Sequence, residues 1–245
     1  MNAGRWFLHE EHEEVMTGYD EPRLARLALD LQKAPDEGST AQTVVDRALD
    51  FLPGADWVSL TVRRRRKLVT LAASSDEARS ADEQQYELNQ GPCVDSTQGV
   101  EWIRSLDVAA DARWPVWGPR AAAKGVGSVL SLRLLSGDAA FGALNLYARR
   151  GGSFKDPDEV DLALTYATHA AVAMTSTLRE QGFAVALRSR HQIGVAQGIL
   201  MKTYGLDVEA SFALLVRYSS TLNMKVATLA ERIVETGELP AAAAD

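Results

Sequence analysis

The segment from Arg190 to Glu235 has the apolar periodicity of three short helices in fewer than fifty residues, which restricts it to a compact helical module. Gly205 is suited to the left-handed position that ends the first helix, and Asp207 to the N-cap of the second. Asn223 is expected to cap the third helix, which Gly237 ends. Each helix has one apolar side, made of Ile193, Ala196 and Leu200, then Phe212, Leu215, Val216 and Ser219, then Val226, Leu229, Ala230 and Ile233.

The outer side of the first predicted helix is small, polar and basic. Gly194 and Gly198 lie inside the helix, where each costs roughly 1 kcal/mol relative to alanine. We expect a partner to approach the backbone closely there, and either another packed helix or a nucleic acid would satisfy this expectation. The two outer rows are Arg190, Gly194, Gln197 and Met201, and His191, Val195, Gly198 and Lys202.

This segment, IGVAQGILMKTYGLDVEASFALLVRYSSTLNMKVATLAERIV, resembles the ANTAR domain, the RNA-binding output domain of transcription antitermination regulators. The agreement includes the A-x-G-I-L-M core, the YG turn and the N-x-K-x-x-x-L-A run, and is more specific than a short motif. Many members have lysine where this chain has Gln197, so one counterion-releasing charge is absent. The resemblance implies binding to stem-loops in a nascent mRNA, which keeps the competing terminator from forming.

The resemblance and the side-chain chemistry together predict an RNA-binding site. Arginine and lysine side chains would hold phosphates, Gln197 and Asn223 would read base edges, and Tyr218 would stack on a base. Each residue also has a structural interpretation as solvated surface, helix cap or core. The predicted site consists of Arg190, Gln197, Lys202, Arg217, Tyr218, Asn223 and Lys225.

Composition limits what the whole chain can do. A net charge of −7 and a pI near 5.2 over 245 residues argue against indiscriminate coating of nucleic acid, so RNA contact must be local. The single cysteine excludes an intramolecular disulfide and fits a reducing compartment. No apolar run reaches the ~20 residues that cross a bilayer, and the acidic N-terminus does not resemble a secretory signal. We expect a cytoplasmic protein without a membrane partner.

Residues 1–38 are predicted to form an acidic segment followed by a short helix. The HEEHEE run from His9 to Glu14 has two histidines three residues apart, whereas a zinc-protease helix needs them at i and i+4, so we predict no metal site. The helix has an apolar face made of Leu24, Leu27, Ala28 and Leu31.

Residues 39–180 show the pattern of a mixed α/β domain. A helix ends at Pro53-Gly54, and the strands DWVSLTV and KLVTLAA follow, with the basic run from Arg63 to Lys67 at their hairpin tip. The run is interpreted as solvated charge, with a nucleic-acid patch as the alternative. A loop-rich segment from Glu83 to Gly125 precedes two more strands, VGSVLSLRLL and FGALNLYA. Such a layout typically encloses a ligand pocket.

This middle segment resembles a GAF domain, a small-molecule sensing module, through GPCVDS at 91–96, RWPVWGPRAAAKGVGSVLSLRLL at 113–135 and FGALNLYA. Together the two resemblances imply a GAF-ANTAR regulator with an α+β fold. That fold combines a GAF-type antiparallel sheet with flanking helices, a long coiled-coil linker helix, and an all-α three-helix ANTAR domain at 182–240. The resemblance does not identify the signal that the GAF domain senses, because a fold does not determine which ligand it binds.

A ligand pocket is predicted at Cys93, Trp102, Trp114 and Trp117. Alternatively, Cys93 is a small buried hydrophobe and the tryptophans are core or lid residues. The sequence lacks a P-loop and a nucleophile elbow, and no histidine between His12 and His169 offers a heme ligand. We therefore expect no enzyme activity and no resident cofactor or metal, with an unidentified small-molecule ligand left open.

A long helix is predicted from Pro157 to Tyr204. We expect one seam of this helix both to pack on the sheet and to pair two chains as a parallel coiled coil. The expected partners are therefore a second copy, RNA stem-loops and, beside the nascent transcript, RNA polymerase. The alternative function is a GAF-containing signalling protein whose three-helix domain binds a protein. The seam consists of Val160, Leu164, Ala167, Ala171, Met174 and Leu178.

Overall fold

The computed structural model describes residues 21–240. The chain forms two compact units, Met1–Leu178, called the sheet unit, and Arg179–Asp245, called the helical unit. Helix α6, Pro157–Tyr204, contributes residues to both. The HEEHEE run lies outside the described residues. Between residues 21 and 240, no helix combines the length and the hydrophobicity needed to cross a bilayer.

The sheet unit contains a five-stranded antiparallel sheet in the order β2-β1-β5-β4-β3, so the predicted α+β fold is confirmed. Its strands are β1 Trp57–Arg64, β2 Lys67–Ala73, β3 Trp102–Ser105, β4 Ser128–Ser136 and β5 Ala139–Ala148. Its helices, besides the first part of α6, are α1 Glu21–Gln32, α2 Glu37–Phe51, α3 Asp76–Leu88, α4 Pro92–Ser96 and α5 Trp117–Ala123.

The main core lies between one face of the sheet and helices α1, α2 and α6. Alternate residues of β4 and β5 point to this face, as the two-residue period of a strand requires. The Tyr166 hydroxyl of α6 donates to the Val44 carbonyl of α2 at 2.6 Å, which fixes the two helices to each other. The buried strand residues include Leu130, Leu132, Leu134, Leu144 and Leu146.

Five of the six residues predicted as a coiled-coil seam belong to this core or pack against it, whereas Leu178 is half-buried outside it. Val160, Ala167, Ala171 and Met174 are each at most 7% exposed, and Leu164 packs against them. The predicted packing on the sheet is therefore confirmed. The four buried side chains are not available to a partner helix, so a coiled coil would have to use a different face of α6.

The basic run lies at the hairpin tip that the sequence predicts, between β1 and β2. Arg65 occupies a left-handed conformation with φ of 56°, and the five side chains from Arg63 to Lys67 are exposed. The Arg63 guanidinium donates to the Thr97 carbonyl at 2.8 Å, and Arg64 pairs with Glu37. The exposed side chains and these two contacts agree with the interpretation of the run as solvated charge, and the nucleic-acid alternative stays untested.

The helical unit consists of the last part of α6, α7 (Val208–Thr221) and α8 (Val226–Thr236) around one small core. The predicted cap of α7 is confirmed, because the Asp207 carboxylate accepts a hydrogen bond from the Ala210 amide at 2.8 Å. The apolar sides predicted for the first and third helices face this core, with Ile193 and Val226 half-buried and the other residues buried. The core residues are Ala196, Leu200, Leu215, Leu229, Ala230 and Ile233.

The apolar side predicted for α7 is confirmed at Leu215 and is wrong at Phe212 and Val216. Phe212 and Val216 are 45% and 40% exposed, whereas Ser211 and Leu215 are buried. The Gln197 side-chain amide explains this rotation, since it donates to the Val208 carbonyl at 3.1 Å and to Ser211 Oγ at 3.4 Å. These bonds direct the Ser211 side of α7 toward α6.

Asn223 is not the N-cap of α8, contrary to the sequence prediction. It adopts the left-handed conformation with φ of 48°, and the N-cap position belongs to Lys225. The Asn223 amide donates to the Ser220 carbonyl at 3.2 Å, and the Met224 amide to the Ser219 carbonyl at 2.9 Å. This pair of bonds is a Schellman motif, and asparagine tolerates its left-handed position better than most residues.

Two glycines with opposite surroundings predict opposite effects of alanine. A Cβ at Gly142 in β5 would overlap the Thr61 carbonyl, whereas a Cβ at Gly198 in α6 would meet nothing within 4 Å. We expect Gly142→Ala to lower the free energy of unfolding by about 1–3 kcal/mol. We expect Gly198→Ala to raise it by up to about 1 kcal/mol.

Urea unfolding measures both changes. Tryptophan fluorescence reports on the sheet unit, because residues 179–245 contain no tryptophan. Far-ultraviolet circular dichroism reports on the helices of both units, so a change that fluorescence does not show belongs to the helical unit. Destabilisation by Gly198→Ala would contradict the open surroundings of that residue.

Candidate functional site

The second face of the sheet carries a buried network of polar side chains centred on Asp82 of α3. The Asp82 carboxylate accepts hydrogen bonds from Tyr147 Oη at 2.5 Å, Thr70 Oγ1 at 2.8 Å and Asn145 Nδ2 at 3.0 Å. Asp82 is fully buried. All three donors are neutral, so the carboxyl group is hydrogen-bonded but has no cation among these partners.

The network continues from Asp82 across the sheet. Gln85 Nε2 donates to Tyr147 Oη at 2.8 Å, while Gln85 Oε1 accepts from the Cys93 amide at 2.8 Å. On the other side, Ser131 Oγ donates to Asn145 Oδ1 at 2.7 Å. The network therefore ties α3 and α4 to β2, β4 and β5 with hydrogen bonds that have little competition from water.

Burial shifts the titration of these groups. It raises the pKa of Asp82 and that of Tyr147, because the charged forms would lose their hydration. Burial, and then the nearby Asp82 carboxyl, raise the pKa of Cys93 to about 12. The Cys93 thiol therefore stays protonated near neutral pH. It is a poor nucleophile, in agreement with its interpretation as a buried hydrophobe.

The four predicted pocket residues do not form one group. Trp114 and Trp117 meet edge to face with ring centroids 5.7 Å apart. Trp114 Nε1 donates to Asp95 Oδ2 at 2.8 Å, and Asp95 shares the short helix α4 with Cys93. Trp102 instead packs against the main core on the other face of the sheet. Cys93, Trp114 and Trp117 are buried, and the two tryptophans belong to the core on this face of the sheet.

Sequence reasoning missed Asp82, Asn145 and Tyr147. A signal was present in α3, where Asp82 shares its buried side with Ala78, Ala81 and Gln85. Small alanines at such positions let a helix approach a sheet closely. A carboxyl group among them has to be hydrogen-bonded or neutral.

The raised pKa of Asp82 predicts a distinct pH dependence of stability. The folded chain holds the Asp82 proton more tightly than the unfolded chain does. The contribution of this proton to the free energy of unfolding is therefore complete below the unfolded pKa of about 4. It is lost as pH rises through the folded pKa. Asp82→Asn keeps the size of the side chain and cannot ionise. We therefore expect the unfolding free energy of the wild type minus that of the variant to fall above about pH 4.

Urea unfolding followed by tryptophan fluorescence between about pH 4 and pH 8 measures this difference. Subtracting the variant removes the contributions of other carboxyl groups, such as Asp111, whose pKa the Arg113 hydrogen bond lowers to about 2. A constant difference across the range would show that Asp82 titrates normally.

In the helical unit, the seven predicted RNA-binding residues divide by environment. Gln197 and Tyr218 are half-buried, and the Gln197 amide nitrogen is occupied by its bonds to α7. The other five are exposed, namely Arg190, Lys202, Arg217, Asn223 and Lys225. Asn223 has a structural role in the Schellman motif, whereas the four cationic side chains form no ion pair within the described residues.

Arg217 and Tyr218 line a groove of about 580 Å³ in the helical unit, here called the aromatic groove. Tyr204, which the sequence analysis did not select, lies on the same groove. Within residues 21–240, the Arg217 guanidinium and the two tyrosine hydroxyls have no hydrogen-bond partner. The remaining lining is apolar and consists of Leu206, Ala210, Ala213, Leu214 and Leu239. The other five predicted residues lie outside this lining.

The charge of the chain is unevenly divided. Residues 179–245 contain seven lysines and arginines and seven aspartates and glutamates, so the net charge of −7 lies entirely in residues 1–178. The helical unit as a whole therefore neither attracts nor repels a polyanion strongly. Anion binding depends on where its cations lie.

Comparison with protein-family models matches residues 34–175 to the GAF domain and residues 182–234 to the ANTAR domain. The chain belongs to the GAF family and carries an ANTAR domain. The sheet unit is thus the GAF unit, and the helical unit contains the ANTAR domain. Both families are regulatory rather than catalytic. The boundaries predicted from the sequence, 39–180 and 182–240, stay predictions.

Solved structures with similar folds include other GAF domains. That of a phosphoenolpyruvate-protein phosphotransferase from Coxiella burnetii has a TM-score of 0.53 at 17% identity, covering 66% of this chain and 96% of that one. Its Acinetobacter counterpart has a TM-score of 0.52 at 12% identity, with the same coverages. A bacteriophytochrome from R. palustris has a TM-score of 0.57 at 11% identity, and the match covers 82% of this chain and 47% of that one. These likenesses show the fold alone. No curated protein sequence matches this chain.

Proposed function

We propose that this GAF-ANTAR protein is an RNA-binding transcription antitermination regulator. Its GAF unit senses a signal, and its ANTAR domain binds stem-loops in a nascent mRNA so that the competing terminator does not form. The observation that carries the proposal is the ANTAR match at residues 182–234, on a folded three-helix unit with unpaired, exposed cations. We propose no catalytic role, because the groups whose pKa values are raised by burial, such as Asp82, lie inside the GAF unit, away from solvent.

The exposed cations of the ANTAR domain suit phosphate contacts. Arg190, Lys202 and Lys225 are exposed, and no described acidic side chain pairs with them. An unpaired cation loses no ion pair when it binds a phosphate, and each phosphate it neutralises releases counterions from the RNA. RNA polymerase would be near such a complex because the stem-loops lie in the emerging transcript. The predicted cytoplasmic location stays a prediction.

The first testable consequence is salt-sensitive RNA binding. The full chain should bind a labelled RNA with two short stem-loops, and the logarithm of its association constant should fall linearly with the logarithm of salt concentration. The double variant Arg190→Gln and Lys225→Gln should bind more weakly, with a slope shallower by roughly 0.7 to 0.9 for each phosphate that it no longer neutralises. Fluorescence anisotropy measures both quantities.

Arg232→Gln is the matched control, since Arg232 is an exposed arginine on α8 outside the predicted site. Single-loop and scrambled-loop RNAs test the dependence on loops. If the double variant binds like the wild type, Arg190 and Lys225 do not belong to the site. If the wild type does not prefer stem-loop RNA to the scrambled control, the proposed function is wrong.

We also propose that the protein is a homodimer that pairs through α6, using a face other than the buried seam. Phe183 and Leu187 lie one turn apart on α6 and are 68% and 53% exposed. Burial of such large apolar side chains against a second copy is favourable. Two ANTAR domains in one dimer would bind two stem-loops with a high effective concentration for the second contact.

Light scattering over a range of protein concentrations tests this proposal. We expect a mass near twice 26.6 kDa for the wild type and near 26.6 kDa for Phe183→Glu combined with Leu187→Glu. Val208→Glu combined with Phe212→Glu places the same charge on two exposed apolar residues of α7 and should leave the mass unchanged. A monomeric wild type, or a dimeric double variant at Phe183 and Leu187, would reject this interface.

A protein-binding role for the ANTAR domain is the second candidate function. The exposed row of Val208, Phe212 and Val216 on α7 favours it, because such a row suits an apolar partner surface. Salt distinguishes the two functions. Phosphate contacts weaken steeply with salt, whereas an apolar interface does not.

A further inference from the structure

We propose that the aromatic groove binds one unpaired base of the RNA loop, with Tyr204 and Tyr218 as stacking residues and Arg217 as the hydrogen-bond donor to the base edge. This inference rests on the proposed RNA-binding function and assigns a specific subsite to it. It also adds a functional residue, Tyr204, that the sequence analysis did not select.

The groove results from the way the chain passes from α6 to α7. Tyr204 is the last residue of α6, and Gly205 reverses the chain with a left-handed φ of 65°. On α7, Ala210 and Ala213 have side chains too small to fill the space beside Tyr204. The resulting volume of about 580 Å³ falls in the range of roughly 300–1,000 Å³ that is usual for pockets holding small ligands.

The lining has the two properties that an unpaired base requires. The faces of a base are apolar and stack on aromatic rings or on the guanidinium plane of arginine. Its edge needs hydrogen-bond partners, which the free groups of Tyr204, Arg217 and Tyr218 offer. Because a guanidinium only donates, Arg217 favours base edges that present acceptors.

Charge argues for a nucleic acid over an apolar protein segment as the occupant. Arg217 is the single charged residue of the lining, and none of the eight lining residues is acidic. An apolar segment would cover the unpaired guanidinium without satisfying it, which costs free energy. A nucleotide instead supplies both acceptor atoms and a neighbouring phosphate.

The test begins with a pool of short RNA hairpins with randomised loops, selected on the full-length protein. The best hairpin is then remade with an abasic sugar at each loop position in turn. We expect one position at which base removal weakens binding to the wild type by roughly 5- to 150-fold, the range measured for base stacking on aromatic residues. In Tyr204→Ala, base removal at that position should weaken binding less than it does in the wild type, because one of the two stacking rings is already absent.

Substitutions in the groove should separate the contribution of ring stacking to RNA binding from that of the Arg217 hydrogen bond. Tyr204→Phe keeps the ring, so its affinity for the selected hairpin should stay much closer to that of the wild type than the affinity of Tyr204→Ala does. Arg217→Gln should weaken binding, while Arg232→Gln outside the groove should not. A 2-aminopurine at the sensitive loop position should lose more fluorescence on binding the wild type than on binding Tyr204→Ala. Circular dichroism confirms that each variant is folded.

The outcomes distinguish the subsite from the function. If the wild type selects a hairpin but Tyr204→Ala and Arg217→Gln bind it equally well, the groove proposal is overturned and RNA binding stands. The same holds if base removal affects Tyr204→Ala as strongly as the wild type. If the wild type enriches no hairpin, both the proposed function and the groove proposal fail.

Discussion

Helix α6 is the element on which both units depend, because it supplies core residues to each of them. Its first part buries Tyr166 and Met174 against the sheet, and its last part buries Ala196 and Leu200 against α7 and α8. Neither core is complete without these side chains. A change in α6 therefore affects the stability of whichever core it touches, and proline at either place would remove helix hydrogen bonds as well as packing.

The parts of the fold that follow a strong apolar period could be predicted from the sequence. The strands β1, β2, β4 and β5 and the helix α6 are long and regular, and the structure contains all of them. By contrast, the segment predicted as loop-rich, 83–125, contains the last six residues of α3, all of α4 and α5, and the short strand β3. Helix α3 is rich in charged and polar residues, and its buried side is made of alanines with Asp82 and Gln85, so its period is weak.

The candidate site shows a similar division. The types of residue suited to RNA could be chosen from the sequence, but their grouping depends on helix rotation. The bonds from Gln197 to α7 set that rotation, and no local pattern reveals such a tertiary contact. The sequence does not separate the two roles of Asn223, because asparagine suits both an N-cap and a left-handed helix end. Tyr204 has no distinguishing local pattern, because the groove forms only when the turn at Gly205 brings α6 and α7 together.

The position of β1 inside the sheet has a consequence for the order of assembly. Its partner β5 lies about ninety residues later, with Trp57 opposite Tyr147, whereas β2 follows directly after a tight turn. Closing so long a loop costs chain entropy, so the β1–β2 hairpin forms easily and the central pairing forms late. On the ribosome, β1 therefore has a single neighbour until β5 has emerged. During that interval its open edge is exposed to association with other chains.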